Sequence, residues 1–245
     1  MSRGALAAAV MVGAVLTSAC DAIAQKYEYE EEIYLQLDGS ATVNVNASVA
    51  ALVALRGVDL PVDPKARVDR ARVRALFVMP GSPRPRVTFS RRQGRRFVHV
   101  SVDVADVRQL HAQPMFAWST YQFDRVSDSV TYRQRVGAAA GTSIANAGWR
   151  GGELVVIKMH IPSEIPYHNA PSRQTERGNI LRWEQPLEAR LKGEPIDVDV
   201  RMEPESILYS TLLLFGLTIV AAALTFGLVI WWVARRGRES EKAAA

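Results

Sequence analysis

Residues 27–47 read YEYEEEIYLQLDGSATVNVNA. As far as Leu37 they alternate, with Tyr27, Tyr29, Ile33, Leu35 and Leu37 on one side and Glu28, Glu30, Glu32, Tyr34 and Gln36 on the other. That two-residue period is the mark of a strand with one buried face. Asp38-Gly39 follows, the favoured pair for a two-residue type I′ turn, and then Ala41, Val43, Val45 and Ala47 alternate with Thr42, Asn44 and Asn46. The pattern predicts a β-hairpin, apolar on one face and polar on the other, at the start of the folded region.

Downstream, Ser48 is placed to cap a short helix from Val49 to Arg56 that stops at Gly57. Asp63-Pro64 supplies an N-cap and a first-turn proline ahead of a second helix, Lys65 to Phe77. Three prolines in residues 80–85 (PGSPRP) remove donors and fix φ, so this stretch is a connection. Strand spacing returns at Arg86 to Ser90, Arg96 to Val104, Tyr121 to Val126 and Val130 to Val136, paired through Arg91 to Arg95 and Ser127 to Ser129. Between these hairpins Ala105 to Ala112 reads as a short helix. Gly137 to Gly152, rich in Gly, Ala, Ser and Asn, reads as a flexible loop. Strands at Glu153 to Ile161, Asn179 to Glu184 and Pro195 to Met202 complete an expected α+β domain with a mostly antiparallel sheet and two or three helices.

Both ends of the 245-residue chain depart from this pattern. Ser206 to Ala234 is 29 residues without a charge. Within it Ile207 to Val233, at ~1.5 Å per residue, more than covers a ~30 Å hydrocarbon core. Tyr209, Trp231 and Trp232 stand as interfacial anchors, and Arg235, Arg236, Arg238 and Lys242 follow, so the positive-inside rule puts the last residues in the cytoplasm. At the other end Arg3 precedes an uncharged run, residues 4–16 (GALAAAVMVGAVL), the shape of a secretory leader. Ala22-Ile23-Ala24 offers a peptidase site, while Thr17-Ser18-Ala19-Cys20 is a loose lipobox that would make Cys20 a lipidation site. The expected organisation is a leader over 1–24, an extracytoplasmic domain over 25–205, a membrane helix over 206–234 and a basic cytoplasmic tail over 235–245. Cys20 is the single cysteine, so the domain itself needs neither disulfides nor metal thiolates.

No G-x-S-x-G elbow, Walker A loop, G-x-G-x-x-G or H-E-x-x-H is present, and the reading is of a non-enzyme without cofactor or metal. His160 and His168 with Glu164 between them would suit a two-His, one-carboxylate site, yet histidines in proline-containing loops more often bind water or backbone. His99 and Asp103 share a strand face and read as a structural pair.

Charge is segregated. From Arg56 to Arg96 there are twelve Lys/Arg against three acids, whereas residues 25–205 hold 25 basic and 22 acidic residues. A positive surface attracts phosphate, and lipid headgroups are the phosphates a membrane-tethered domain meets first. Arg70, Arg74, Arg91, Arg92, Arg95 and Arg96 are the candidate headgroup-binding residues. The competing explanation is a solvated face in an arginine-rich chain. Topology makes nucleic acid a poor candidate, and no nucleic-acid partner is expected.

Residues 159–170 (MHIPSEIPYHNA) followed by 178–183 (GNILRW) combine a strand, Pro162, a hydrophobic residue, Asn169, a polar insert and a strand bearing Trp183. With the opening strand and its Asp-Gly turn, this resembles the LppM-like family of bacterial envelope proteins. Ser163 stands where that pattern has glycine. The resemblance implies a leader or lipoprotein signal, an α+β outer domain that binds lipid or glycolipid, a transmembrane helix with a basic tail, and no catalytic residues. Two functions remain in play: a module at the cytoplasmic membrane that binds a lipid, glycolipid or other amphiphile, with an acyl pocket between sheet and helices, or an adaptor of an envelope complex meeting a protein partner through Trp118, Trp149 or the proline-rich loop.

Overall fold

The computed structural model describes residues 27–144, 147–172, 175–176 and 178–243. The leader and Cys20 lie outside the described residues. Strands β1 (Tyr27–Leu35), β2 (Ala41–Ser48), β3 (Arg86–Arg92), β4 (Arg95–Val104), β7 (Leu154–His160) and β9 (Ile180–Pro186) form a six-stranded sheet in the order β3-β4-β2-β1-β7-β9. Strands β5 (Ser119–Val126), β6 (Ser129–Val136), β8 (Tyr167–His168) and β10 (Ile196–Met202) form a second sheet in the order β5-β6-β10-β8. Every pairing of these strands is antiparallel except β1 with β7. Helices α1 (Val49–Arg56), α2 (Arg70–Leu76), α3 (Leu187–Leu191) and α4 (Ile207–Ala243), with a 3₁₀ turn at Val107–Ala112, complete an α+β fold. One continuous core joins Ile33, Val43, Val100 and Met159 of the larger sheet to Val130, Tyr132, Val198 and Val200 of the smaller.

The opening hairpin forms, with a different turn. Gln36 N donates to Ser40 O at 2.8 Å and Gly39 N to Gln36 O at 3.1 Å. Gly39 has φ 87°, but Asp38 is not among the residues at positive φ. The connection is therefore the three-residue loop Leu37-Asp38-Gly39, a turn of type I closed by a left-handed glycine, and Asp38 serves by accepting from Ser40 N at 2.9 Å. The type I′ turn sits at Gln93-Gly94, φ 50° and 75°, between β3 and β4.

A register shift between Tyr27 and Tyr29 inserts Glu28 as an extra residue opposite β7. This corrects the alternation at its first two positions. Tyr27 leaves the apolar set, bonding Glu184 and lying under the Lys158 ammonium, while Glu28 becomes fully buried.

Helix α1 follows its capping signals: Ser48 Oγ accepts from Ala51 N at 3.0 Å, and Gly57, φ 66°, returns its N–H to Val53 O. Helix α2 is shorter than expected. Asp63 closes only a local turn onto Lys65 N, and Asp69 caps the helix through Ala71 N at 2.9 Å. Between them a turn at Pro64-Lys65 leads to Val68, which is buried ahead of Val73. Described residues of the Gly- and Ala-rich stretch expected to be a flexible loop are tied to the core: Ala140 N and Thr142 N donate to Leu55 O and Ala54 O, and Trp149 Nε1 donates to Glu28.

Helix α4 contains Ile207–Val233, 27 residues of mean hydropathy 2.5, long and apolar enough to cross a membrane. Its start is held beside the end of β7, where Ile207 N and Ser206 Oγ donate to Pro162 O. Strands β1, β4 and β7 run toward that end. The start of β4 at Arg95 is thus at the opposite pole, about 25 Å away at ~3.3 Å per residue.

Candidate functional site

The hairpin β3–β4 distributes its arginines by parity. Arg91 pairs with Arg96 on the side of Phe89 and Val98, and Arg92 pairs with Arg95 on the alternate side. On the first side Arg67, Arg70 and Arg96 surround a surface cleft of about 620 Å³ with Val68, Asp69 and Phe89. The Arg70 guanidinium stands 5.9 Å from the Phe89 ring centre. Asp69, the acid lining the cleft, is engaged as the α2 cap. Among the described residues no carboxylate lies within ion-pairing distance of Arg67, Arg70 or Arg96. Three cations around an aromatic floor are a chemistry suited to an anion.

Of the six candidate headgroup arginines, Arg70 and Arg96 thus converge, joined by Arg67. Arg91 is exposed at the rim and donates to Pro64 O at 3.3 Å. Arg74 is turned to Pro85 O at 3.1 Å. Arg92 lies over Phe97 and bonds Tyr27 O. Arg95 is a correction outright: it is buried, with Nη2 3.0 Å from Glu28 and Nη1 3.7 Å from Glu153, and it donates to Gly148 O at 2.8 Å. Its charge neutralises the carboxylate that the β1 bulge buries, so it is not offered to a ligand. Parity along the hairpin is the sequence signal that separates Arg91 and Arg96 from Arg92 and Arg95, whereas no local pattern points to Arg67.

A second polar cluster lies between the sheets. Glu31, on the apolar side of β1, is fully buried and accepts from Tyr29 Oη at 3.1 Å, Gln134 Nε2 at 3.0 Å and Tyr121 Oη at 3.4 Å. Burial raises its carboxyl above the usual range, against the opposing pull of Arg56 and these donors. Arg56 and Arg190 lie 4.0 and 5.1 Å from the Trp118 ring, and the Trp118 ring meets Tyr29 edge-on. Trp118 and Trp149 are therefore partly buried and engaged inside the domain.

The motif residues do structural work. Asn169 accepts from Trp183 Nε1 and from Asp199 N, both at 2.9 Å, and donates to Asp197 O at 3.0 Å, linking β9 to β10. Pro162 holds the start of α4. His160 bonds Glu32 at 2.7 Å and stacks on Tyr34, away from His168, which pairs with Val200. Among the described residues no three His, Cys, Asp or Glu converge as a metal site. Asp103 bonds Thr42 at 2.8 Å, so the expected His99–Asp103 pair is replaced by other partners for His99.

Compared with protein-family models, curated proteins and solved structures, the chain matches none.

Proposed function

We propose that the chain is a membrane-anchored extracytoplasmic binding module that takes the anionic headgroup of a lipid, glycolipid or other amphiphile in the Arg67–Arg70–Arg96 cleft. The observation that carries this reading is the convergence of three arginines without carboxylate partners around Phe89. The resemblance to LppM-like envelope proteins implies the same ligand class. The space between sheets and helices is filled by buried side chains such as Leu52, Val73, Phe77 and Val100, so recognition is of the headgroup and not of a sequestered acyl chain. Because the cleft lies near the pole opposite the start of α4, the headgroup belongs to an amphiphile met away from the anchoring leaflet.

The test is capture in trans. Full-length chain in nanodiscs of neutral phosphatidylcholine is mixed with vesicles containing or lacking phosphatidylglycerol and floated. Binding only to acidic vesicles is expected, fading as salt shortens the ~8 Å screening length. Each Lys or Arg near such a surface contributes about 1 kcal/mol, so Arg67→Gln, Arg70→Gln and Arg96→Gln together should weaken capture by about two orders of magnitude. Equal capture of neutral vesicles, or an unaffected triple variant, would leave the adaptor function as the better reading.

A further inference from the structure

The outer face of the six-stranded sheet carries a line of hydrogen bonds that the headgroup reading does not use. Ser90 Oγ is 2.7 Å from His99 Nε2, His99 Nδ1 is 2.8 Å from Asn46 Oδ1, and Asn46 Nδ2 donates to Glu30 at 3.1 Å. Strand register builds this line. Asn46 is the direct partner of both His99 and Glu30, and Ser90 sits diagonally from His99, within reach across a strand pair.

The chain of partners fixes every proton. Glu30, a carboxylate, can only accept, so the Asn46 amide must turn its NH₂ toward it and its carbonyl toward His99. The His99 Nδ1 must then carry the hydrogen, which leaves Nε2 as a bare acceptor facing the Ser90 hydroxyl. Burial, with the Arg92 charge, keeps His99 below its usual pKa and hence neutral at neutral pH, while Glu30 pulls weakly the other way. A serine donating to a neutral imidazole whose tautomer is held by a third group is the arrangement of an activated nucleophile.

From this geometry we infer that Ser90, His99 and Asn46 form a nucleophile, base and orienting group able to cleave carboxylic esters. Ser90 Oγ attacks the carbonyl carbon as its proton passes to His99 Nε2. The oxyanion has a backbone donor beside it. β3 is an edge strand, and Arg92–Arg95 closes a two-residue turn as a hydrogen-bonded pair, so the next pair, Arg91–Arg96, turns the Arg91 N–H toward the open edge. The ester C–O bond then breaks, and the departing alcohol takes the proton from His99. Water repeats the sequence on the acyl-serine, releasing the acid and restoring Ser90. A shallow concavity of about 290 Å³ adjoins His99, lined by Asn44, Arg86, Thr88 and Ser101. Ser90 does not line it, so the ester carbonyl sits at the open edge beside Ser90, and the concavity with Arg86 receives an anionic substituent of the substrate.

Full-length chain in detergent, treated with a fluorophosphonate probe and digested, should yield an adduct on the peptide containing Ser90, and the untreated chain should hydrolyse p-nitrophenyl butyrate above the buffer rate. Ser90→Ala should abolish both. His99→Ala should lower labelling by about 100-fold or more. Asn46→Leu should lower it too, while Asn46→Asp, which preserves the acceptor at Nδ1, should retain most of it. Melting temperatures are recorded alongside, and Ser90, being exposed, should leave them unchanged. Absence of an adduct on Ser90 in the parent chain, or hydrolysis that survives Ser90→Ala, would show the line to be a solvated polar ladder only.

Discussion

Gln134 on β6 donates from Nε2 to Glu31 on β1 at 3.0 Å, although 103 residues separate them in sequence. The bond joins the two sheets at a point where both side chains are buried. Tyr29, Tyr121 and Tyr132 surround it, Tyr132 donating to Gln134 Oε1 at 2.9 Å. A carboxyl in that setting is costly as an anion and inexpensive as an acid, and the fold tolerates it because three donors and the nearby Arg56 charge offset part of the desolvation.

A pH dependence follows with a definite sign. The folded pKa of Glu31 is raised above its ordinary 4.5, chiefly by burial. The fold therefore binds more protons at this site than the unfolded chain. Its contribution is fully favourable below 4.5 and is lost as pH rises through 4.5 toward the folded value. Asp38 and Asp106, held low by Ser40 and Arg108, act in the opposite direction, losing stability as pH falls. The difference between the parent and Glu31→Gln isolates the buried group. That variant keeps the acceptor for Gln134 and should gain stability relative to the parent as pH increases from 4 to 8, measured by urea denaturation. A constant difference across this range would contradict the assignment.

Gly39 tests the first hairpin. Its φ of 87° is one that a side chain resists, and a Cβ there would lie 3.1 Å from the Phe123 ring. Gly39→Val should lower stability by at least the ~1 kcal/mol typical of left-handed strain, with further loss if the ring cannot shift. An unchanged denaturation midpoint would mean that the turn adopts another conformation.

What could be read from sequence here depended on locality. The β1–β2 hairpin, the caps of α1 and the apolar span of α4 each rest on residues a few positions apart, and period and capping chemistry report them directly. The bulge at Glu28 does not, because it is defined by where β7 pairs, more than 120 residues later. The same distance hides the burial of Glu31, which Gln134 and Tyr121 reach from far along the chain. It also hides the pinning of Ala140, Thr142 and Trp149, whose partners are backbone carbonyls of α1 and a buried glutamate. Charge density points to the segment that supplies the candidate cleft, while alternation along β3 and β4 separates Arg91 and Arg96 from Arg95, which neutralises buried acids.

Orientation in the membrane is a separate prediction. The span Ile207–Val233 is followed by Arg235, Arg236, Arg238 and Lys242, and positive flanks are retained in the cytoplasm. A reporter fused after Ala245 should be active only in the cytoplasm, and protease added to spheroplasts should degrade the domain before α4. Periplasmic activity of that fusion would invert the topology and remove the headgroup proposal with it.

The sharpest distinction the structure makes is between Arg91 and Arg95, four positions apart in one hairpin. Arg91 is exposed and reaches only the Pro64 carbonyl, so Arg91→Ala should change stability by no more than about 0.5 kcal/mol. Arg95 is buried against Glu28, itself fully buried, and replacing it leaves that carboxylate with the partly exposed Arg92 at 3.9 Å in place of the 3.0 Å contact. Removing one member of such a pair typically costs about 3–5 kcal/mol, enough to unfold a marginally stable domain. Chemical denaturation of the two single variants should separate them by that margin. Adding Glu28→Gln to Arg95→Ala should recover part of the loss, since the weakly paired charge is then gone and the coupling between the two sites becomes measurable as a double-mutant cycle. Equal stability of Arg91→Ala and Arg95→Ala would mean that the Glu28–Arg95 pair is open to water, and that Arg95 belongs after all with the arginines available to a ligand.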